Sequence, residues 1–293
     1  MHGFTVFDNN AYKSVRPDRL NRIMDAEKQA RVVPLASVVV LQEMLARVRS
    51  VNPRERGQNR AAIRKLGVHC LATGAGQPRI NFLSPVDSHV QRLLSGKQHP
   101  RDAEMFDAFG DMVRVIIEAD ADAPLNDISA DLTAIEQLVV RVEGNYIDQL
   151  TRAVQANAQP NQMKRNLDYA ARIAARAQAF YGSQFSPFDI VGKTIDMAKI
   201  TSVGFALQDA IVEEIRTRGG GQAQHGNSAW DEEVVSSTSS YSTINGKTVI
   251  LVTEEKRLLA AAQAAQAADR VVDLAAYEKL IGLSGWSAPP VSS

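Results

Sequence analysis

Acidic residues stand near both ends of this chain, each where a short apolar run stops or a helix is expected to begin. Asp8 follows Phe4-Thr5-Val6-Phe7 and precedes Asn9-Asn10, and Glu43 lies one turn into Ser37-Val38-Val39-Val40-Leu41-Gln42-Glu43-Met44-Leu45. Near the other end come Trp230-Asp231-Glu232-Glu233-Val234-Val235 and then Thr248-Val249-Ile250-Leu251-Val252-Thr253-Glu254-Glu255-Lys256. If the two apolar runs are neighbouring parallel strands, their carboxyl ends open into one crevice, where ligand sites of open α/β sheets lie. Carboxylates meeting there repel one another unless cations hold them, and hard divalent ions such as magnesium or manganese prefer oxygen ligands. The pattern points to a metal-dependent site.

Hydrolysis of a phosphodiester needs an activated water and a counterweight for the charge that develops on the phosphate. Two divalent ions about 3.5 to 4 Å apart can supply both, and they call for a carboxylate cluster rather than a histidine or cysteine set. In that scheme Asp8 is the central or bridging ligand, Asp231 and Glu255 complete the set, and Glu43 binds metal directly or through water. Asn10 and Thr253 are placed to hydrogen-bond the carboxylates or the scissile phosphate. Any one of these acids could merely favour a helix dipole or be solvated; the ordered set carries the reading.

The same residues resemble the motifs of PIN-domain nucleases. Asp8-Asn9-Asn10 fits the Asp-x-Asn of their first strand, and Glu43 fits the glutamate of their second helix. Asp231 to Ser237 resembles their third acidic motif, and Val252-Thr253-Glu254-Glu255-Lys256 the fourth, with Glu255 selected and Glu254 as the alternative. Asp269-Arg270-Val271-Val272-Asp273-Leu274 followed by Tyr277 is similar to the closing strand and helix. The resemblance spans residues 3 to 49 and 228 to 283. Glutamate replaces the usual aspartate at the fourth motif, and a very long segment separates the second motif from the third. The likeness implies an α/β fold, a PIN-like parallel sheet flanked by helices and interrupted by a mainly α-helical insertion. It also implies a magnesium- or manganese-dependent endoribonuclease, often dimeric, and a regulatory protein partner is a further expectation. RNA follows from the resemblance alone, since such a site cleaves DNA as well. The rival reading is a non-catalytic interaction protein in which the acidic frame is degenerate and the helical part binds a partner.

Composition and punctuation place these motifs. With 293 residues, 45% of them hydrophobic, the chain can bury a sizeable core in one large domain or two smaller ones. Lys+Arg and Asp+Glu balance at 33 each, so any nucleic-acid binding has to come from a local basic patch. One cysteine, Cys70, excludes an intrachain disulfide framework; set between apolar neighbours, it reads as a buried small hydrophobe and fits a reducing cytoplasm. No apolar run reaches the roughly 18 residues that span a bilayer, and Met1-His2-Gly3 opens no signal peptide. Residues 1–50 are expected to form the first half of the PIN-like frame, 51–227 the helical insertion and a glycine-rich return linker, 228–284 the second half, and 285–293 a flexible tail. Pro17 opens a helix, Val32-Val33-Pro34-Leu35 reads as a strand, and Ser37 is the expected N-cap of the Glu43 helix. Helical stripes recur through the middle segment, such as Met105-Phe109-Met112-Val113-Ile116-Ile117 and Met163-Leu167-Ala170-Ile173-Ala174-Ala177.

A basic stretch follows Glu43: Arg47, Arg49, Arg54, Arg56, Arg60, Arg64 and Lys65 against Glu55 alone. It reads as a phosphate-tracking surface or as a solvated helix face. On the first reading Arg56, Arg60 and Arg64 bind substrate, and replacing all three with alanine would weaken RNA binding. Lys256 and Arg257 beside the fourth motif could bind phosphate or screen the acids. The five histidines show no metal-ligand spacing, and Gly74-Ala75-Gly76 and Gly219-Gly220-Gly221 are turns rather than phosphate loops.

Overall fold

The fold was analysed in a computed structural model that describes residues 3–72, 79–120, 123–156, 161–193, 196–218 and 228–283. The Gly74–Gly76 turn, the Gly219–Asn227 linker and the 285–293 tail lie outside these residues. The first apolar run forms β1 (Gly3–Phe7), followed by α1 (Asn9–Ser14), α2 (Pro17–Ala30), β2 (Val32–Pro34), β3 (Ala36–Ser37) and α3 (Val38–Leu45). Pro17 occupies the first turn of α2, where its missing N–H costs nothing, and Arg31 ends that helix in the left-handed region at φ 56°. Ser37 caps α3 by accepting the Val40 N–H.

The middle segment runs through α4 (Pro53–His69), β4 (Leu71–Ala72), β5 (Arg79–Ile80), β6 (Phe82–Leu83), α5 (Val86–Ser95), α6 (Pro100–Glu118), α7 (Ser129–Ala156), α8 (Gln162–Tyr181), α9 (Pro187–Gly192) and α10 (Met197–Arg218). It is mainly helical but also carries short strands: β4 pairs with β5 antiparallel, and β6 returns to the frame to pair with β3 in parallel. The chain closes with α11 (Ser228–Asn245), β7 (Val249–Val252), α12 (Lys256–Ala264), β8 (Val271–Val272) and α13 (Leu274–Leu280).

The central sheet is parallel throughout, in the order β2-β1-β7-β8. The chain leaves β1 toward β2 on one side and, after the whole middle segment, returns as β7 on the other. The order therefore reverses between β1 and β7, and the crevice beyond their carboxyl ends is a topological switch point. The strands are apolar on both faces, as Val6, Phe7, Ile250, Leu251 and Val252 are all buried.

The expected break at residue 51 is not a break in packing. One apolar core contains Phe7, Leu41 and Leu251 of the frame together with Ile63, Leu66, Ile116, Leu132 and Leu207 of the middle segment. Gly67 lets α6 approach α4, because a Cβ there would sit 2.5 Å from Ile117 Cδ1. A second, smaller cluster joins α5, α8, α9 and α10 through Val86, Ile173, Ile190 and Ile200. Two members of the helical stripes stay outside: Ile117 is 40% and Met163 59% exposed. Among the described residues, no helix is long and apolar enough to cross a membrane.

Most of the basic stretch has partners inside the fold. Arg60 is buried and donates to the carbonyls of Val48 (3.1 Å) and Ala123 (2.8 Å). Arg64, half-buried, donates to the carbonyls of Ile116 (3.2 Å) and Ala119 (2.5 Å) at the end of α6, and Arg56 to that of Ser50 (3.0 Å). Lys65 holds the carbonyls of Tyr12 and Val15 at 2.7 Å each, and Arg49 binds Glu136 of α7 at 2.7 Å. These cations satisfy orphaned carbonyls at helix ends and in connecting loops, which the backbone alone cannot do. Arg49, Arg56, Arg60, Arg64 and Lys65 thus act as a structural clasp, while Arg54 stays exposed. Replacing Arg60 with alanine should therefore cost about 2 to 4 kcal/mol in urea unfolding, since it strips two carbonyls of a charged donor. An Arg60→Ala protein of unchanged stability would refute the clasp.

Candidate functional site

Beyond the carboxyl ends of β1 and β7 lies a pocket of about 90 Å³ lined by residues that include Asp8, Glu43, Asp231 and Glu255. Asp8 directly follows β1 and Glu255 lies just past β7; Glu43 comes from α3 and Asp231 from the first turn of α11. Four elements distant in sequence thus bring their acids to one crevice. Glu254 points elsewhere: it is exposed, and its carboxylate accepts the Leu274 N–H at 3.0 Å at the start of α13. Of the two glutamates, only Glu255 lines the pocket.

Asp8 is the most constrained of the four. It is buried, caps α1 by accepting the Ala11 N–H at 2.9 Å, and receives a short hydrogen bond from the Thr253 hydroxyl. Thr253 in turn accepts the Glu255 N–H at 3.0 Å, so one buried hydroxyl aligns both acids. Glu255 caps α12 through the Arg257 N–H at 3.4 Å and receives Asn10 Nδ2 at 3.5 Å. Glu43 is gripped by Arg47 at 2.6 Å, and Arg47 also reaches Glu143 of α7 at 3.4 Å and Glu55 of α4 at 3.8 Å. Arg257 pairs with Glu214 of α10 at 3.2 Å, and its charge also reaches Asp231.

Loss of water sets the electrostatics. Burial pushes the Asp8 carboxyl up to about 7, against the lowering effect of the Thr253 and Ala11 hydrogen bonds, with Glu43 adding repulsion. Asp231 is raised well above the usual carboxylate range, first by burial and then by Asp8, Glu43 and Glu255. Among the described residues, no donor hydrogen-bonds its carboxylate and no cation pairs with it. Asn9, also on the pocket wall, is buried, and among the described residues its Oδ1 has no partner.

The donor set fits a hard divalent cation: several carboxylates and an orphaned amide oxygen, with no histidine or cysteine on the wall. Among the described residues, no three acidic, histidine or cysteine side chains are already gathered around a point where a metal could sit. Glu43 is engaged by Arg47, and Glu255 by Asn10 and its own helix.

Two pocket residues carried no sequence signal. Lys13 and Asn9 lie on α1, too short for a periodic pattern, and Asn9 is overshadowed by Asn10 in the motif. Cys70 is buried beside Tyr12, and its thiol is pushed up to about 12 by burial, so it is no nucleophile. Comparison with protein-family models, curated proteins and solved structures finds no match to this chain.

The raised Asp8 carboxyl has a consequence for stability. A group whose folded pKa lies above its unfolded value of 3.8 stabilises the protein at low pH, and that contribution is lost as pH rises toward about 7. Over that interval the loss is on the order of 4 kcal/mol. In chelator, the melting temperature should thus fall between about pH 4 and pH 7, and Asp8→Asn should flatten the fall. Manganese should raise the melting temperature at pH 8. A wild-type profile indistinguishable from that of Asp8→Asn would contradict the electrostatics described.

Proposed function

We propose that this chain is a metal-dependent phosphodiesterase of PIN-like design, acting on RNA as an endoribonuclease with magnesium or manganese. The single observation that carries the reading is the pocket at the switch point, where burial destabilises the Asp8 and Asp231 carboxylates, Glu43 repels both, and Asp8 and Glu255 further repel Asp231. Carboxylates held in that state gain from a cation and lose without one. Asp8, Asp231, Glu255 and Glu43 are the proposed ligands, with Asn9 Oδ1 as a neutral oxygen beside them. A bound divalent ion supplies a Lewis acid for a phosphoryl oxygen and a source of nucleophilic water at neutral pH. Thr253 keeps the Asp8 carboxylate oriented, and Asn10 does the same for Glu255. RNA as the substrate rests on the resemblance to PIN-domain nucleases, as do a homodimer and a regulatory partner.

A second reading is favoured by one contact. The Arg47–Glu43 pair at 2.6 Å supplies the site with an internal cation, as a non-catalytic interaction protein with a degenerate acidic frame would require. Metal-dependent cleavage of single-stranded RNA separates the two. In wild type, manganese should support cleavage and excess chelator abolish it. Asp8→Asn should lower the rate by at least about a hundredfold, the scale of one preorganised charge-stabilising group, while the protein stays folded. Cleavage by Asp8→Asn at the wild-type rate, or cleavage in chelator, would rule out the metal reading; metal binding without cleavage would favour the interaction protein.

A further inference from the structure

Two cationic side chains line the acid pocket, and their circumstances differ. Arg47 is committed to Glu43, Glu143 and Glu55. Lys13 lines the same pocket, yet among the described residues no carboxylate comes within ion-pair distance of its nitrogen. It is half-buried, and loss of water lowers its pKa although Glu43, Glu55 and Asp8 pull the other way. An ammonium that is partly desolvated, close to several acids and paired with none of them gains little for the fold.

Its placement is nevertheless firm. Lys13 follows Asn9 by four residues on α1, so both lie on one helix face. Asp8 caps the start of that helix, and Lys65 grips the carbonyls of Tyr12 and Val15 at 2.7 Å on either side of Lys13. The backbone that carries Lys13 is therefore held at both ends, as a preorganised binding residue requires.

We propose that Lys13 is a substrate-binding residue that holds a non-bridging oxygen of the scissile phosphate at the mouth of the acid pocket. This rests on the phosphodiesterase reading above. A phosphodiester brings its own negative charge to a wall of carboxylates, and whatever cation those carboxylates hold is largely spent on neutralising them. A further positive group is needed on the approach side, and Lys13 is the pocket cation not already bound to an acid. A compact ammonium with three donors suits a phosphate oxygen as a point charge. In this role Lys13 exchanges no proton with the substrate.

The test uses the whole 293-residue chain carrying Trp286→Phe, so that its remaining tryptophan, Trp230 on the pocket wall, reports manganese by fluorescence quenching. Lys13→Met keeps the length of the side chain and removes its charge. Its kcat/KM on single-stranded RNA should fall about a hundredfold, while manganese affinity stays the same or tightens several-fold, because a like charge has left the pocket. Lys13→Arg should recover part of the lost rate. Wild-type cleavage by Lys13→Met, with manganese still bound, would overturn the phosphate contact and leave the metal site standing. Parallel loss of manganese affinity and cleavage would also overturn it, by showing that Lys13 merely supports the pocket. A parent protein that neither binds manganese nor cleaves RNA would refute the phosphodiesterase reading, and the Lys13 assignment with it.

Discussion

The hydroxyl of Thr253 is the point on which this structure turns. It donates to Asp8, 245 residues away in sequence, and accepts the N–H of Glu255, so it ties the carboxyl end of β1 to that of β7. Asp8 is simultaneously the cap of α1, which makes the same carboxylate responsible for where Asn9, Asn10 and Lys13 stand. A buried carboxylate is tolerated only with its lone pairs engaged, and here one backbone N–H and one hydroxyl engage them. Without the β1–β7 pairing neither the acid nor the helix after it has a fixed place. The middle segment is then the long crossover that a parallel pair demands.

That crossover is built into the site rather than appended to it. Glu143 of α7 receives both Arg47 and the Trp230 indole N–H, the latter at 3.3 Å, and so holds two walls of the pocket from outside. Glu214 of α10 holds Arg257 just beyond Glu255. Because Arg60 and Arg64 fasten α4 to the loop before α7 and to the end of α6, the position of Glu43 on α3 depends on helices far along the chain. A charge change on α7 thereby reaches the acids without touching them.

Much of the frame was legible because its signals are local. An apolar run ended by Asp8, a serine before Val38-Val39-Val40, and Val271-Val272 before a capping aspartate are short-range patterns, and each corresponds to a strand end or a helix cap in the fold. What stayed hidden depends on partners. A run of arginines has the same composition whether it faces solvent or grips carbonyls, and the carbonyls of Ile116, Ala119 and Ala123 lie more than fifty positions downstream. The choice between Glu254 and Glu255 was equally open, since adjacent residues after a strand diverge and only the start of α13 decides which one it captures. The single core shared by frame and middle segment was hidden for the same reason: helical stripes reveal that a face is buried, not what buries it.

The other buried acids give the pocket its meaning. Glu27 accepts from His69 at 2.8 Å and from Tyr277 at 2.5 Å, inside a nest of Phe7 and Tyr12. Glu232 has Arg172 at 2.8 Å and Gln208 at 2.5 Å, Asp102 has the Tyr181 hydroxyl at 2.6 Å, and Asp87 lies 3.5 Å from Arg176. At each of these places the fold matches a buried carboxylate with a cation or a donor, as stability demands. At the switch point burial raises Asp8, with Glu43 adding repulsion, and raises Asp231, with Asp8, Glu43 and Glu255 adding repulsion, and among the described residues Asp231 has no donor. Among the described residues, the fold thus pairs each of these four acids with a cation or a donor and pairs Asp231, on the wall of the crevice, with neither, the perturbed and unpaired state that marks a candidate site.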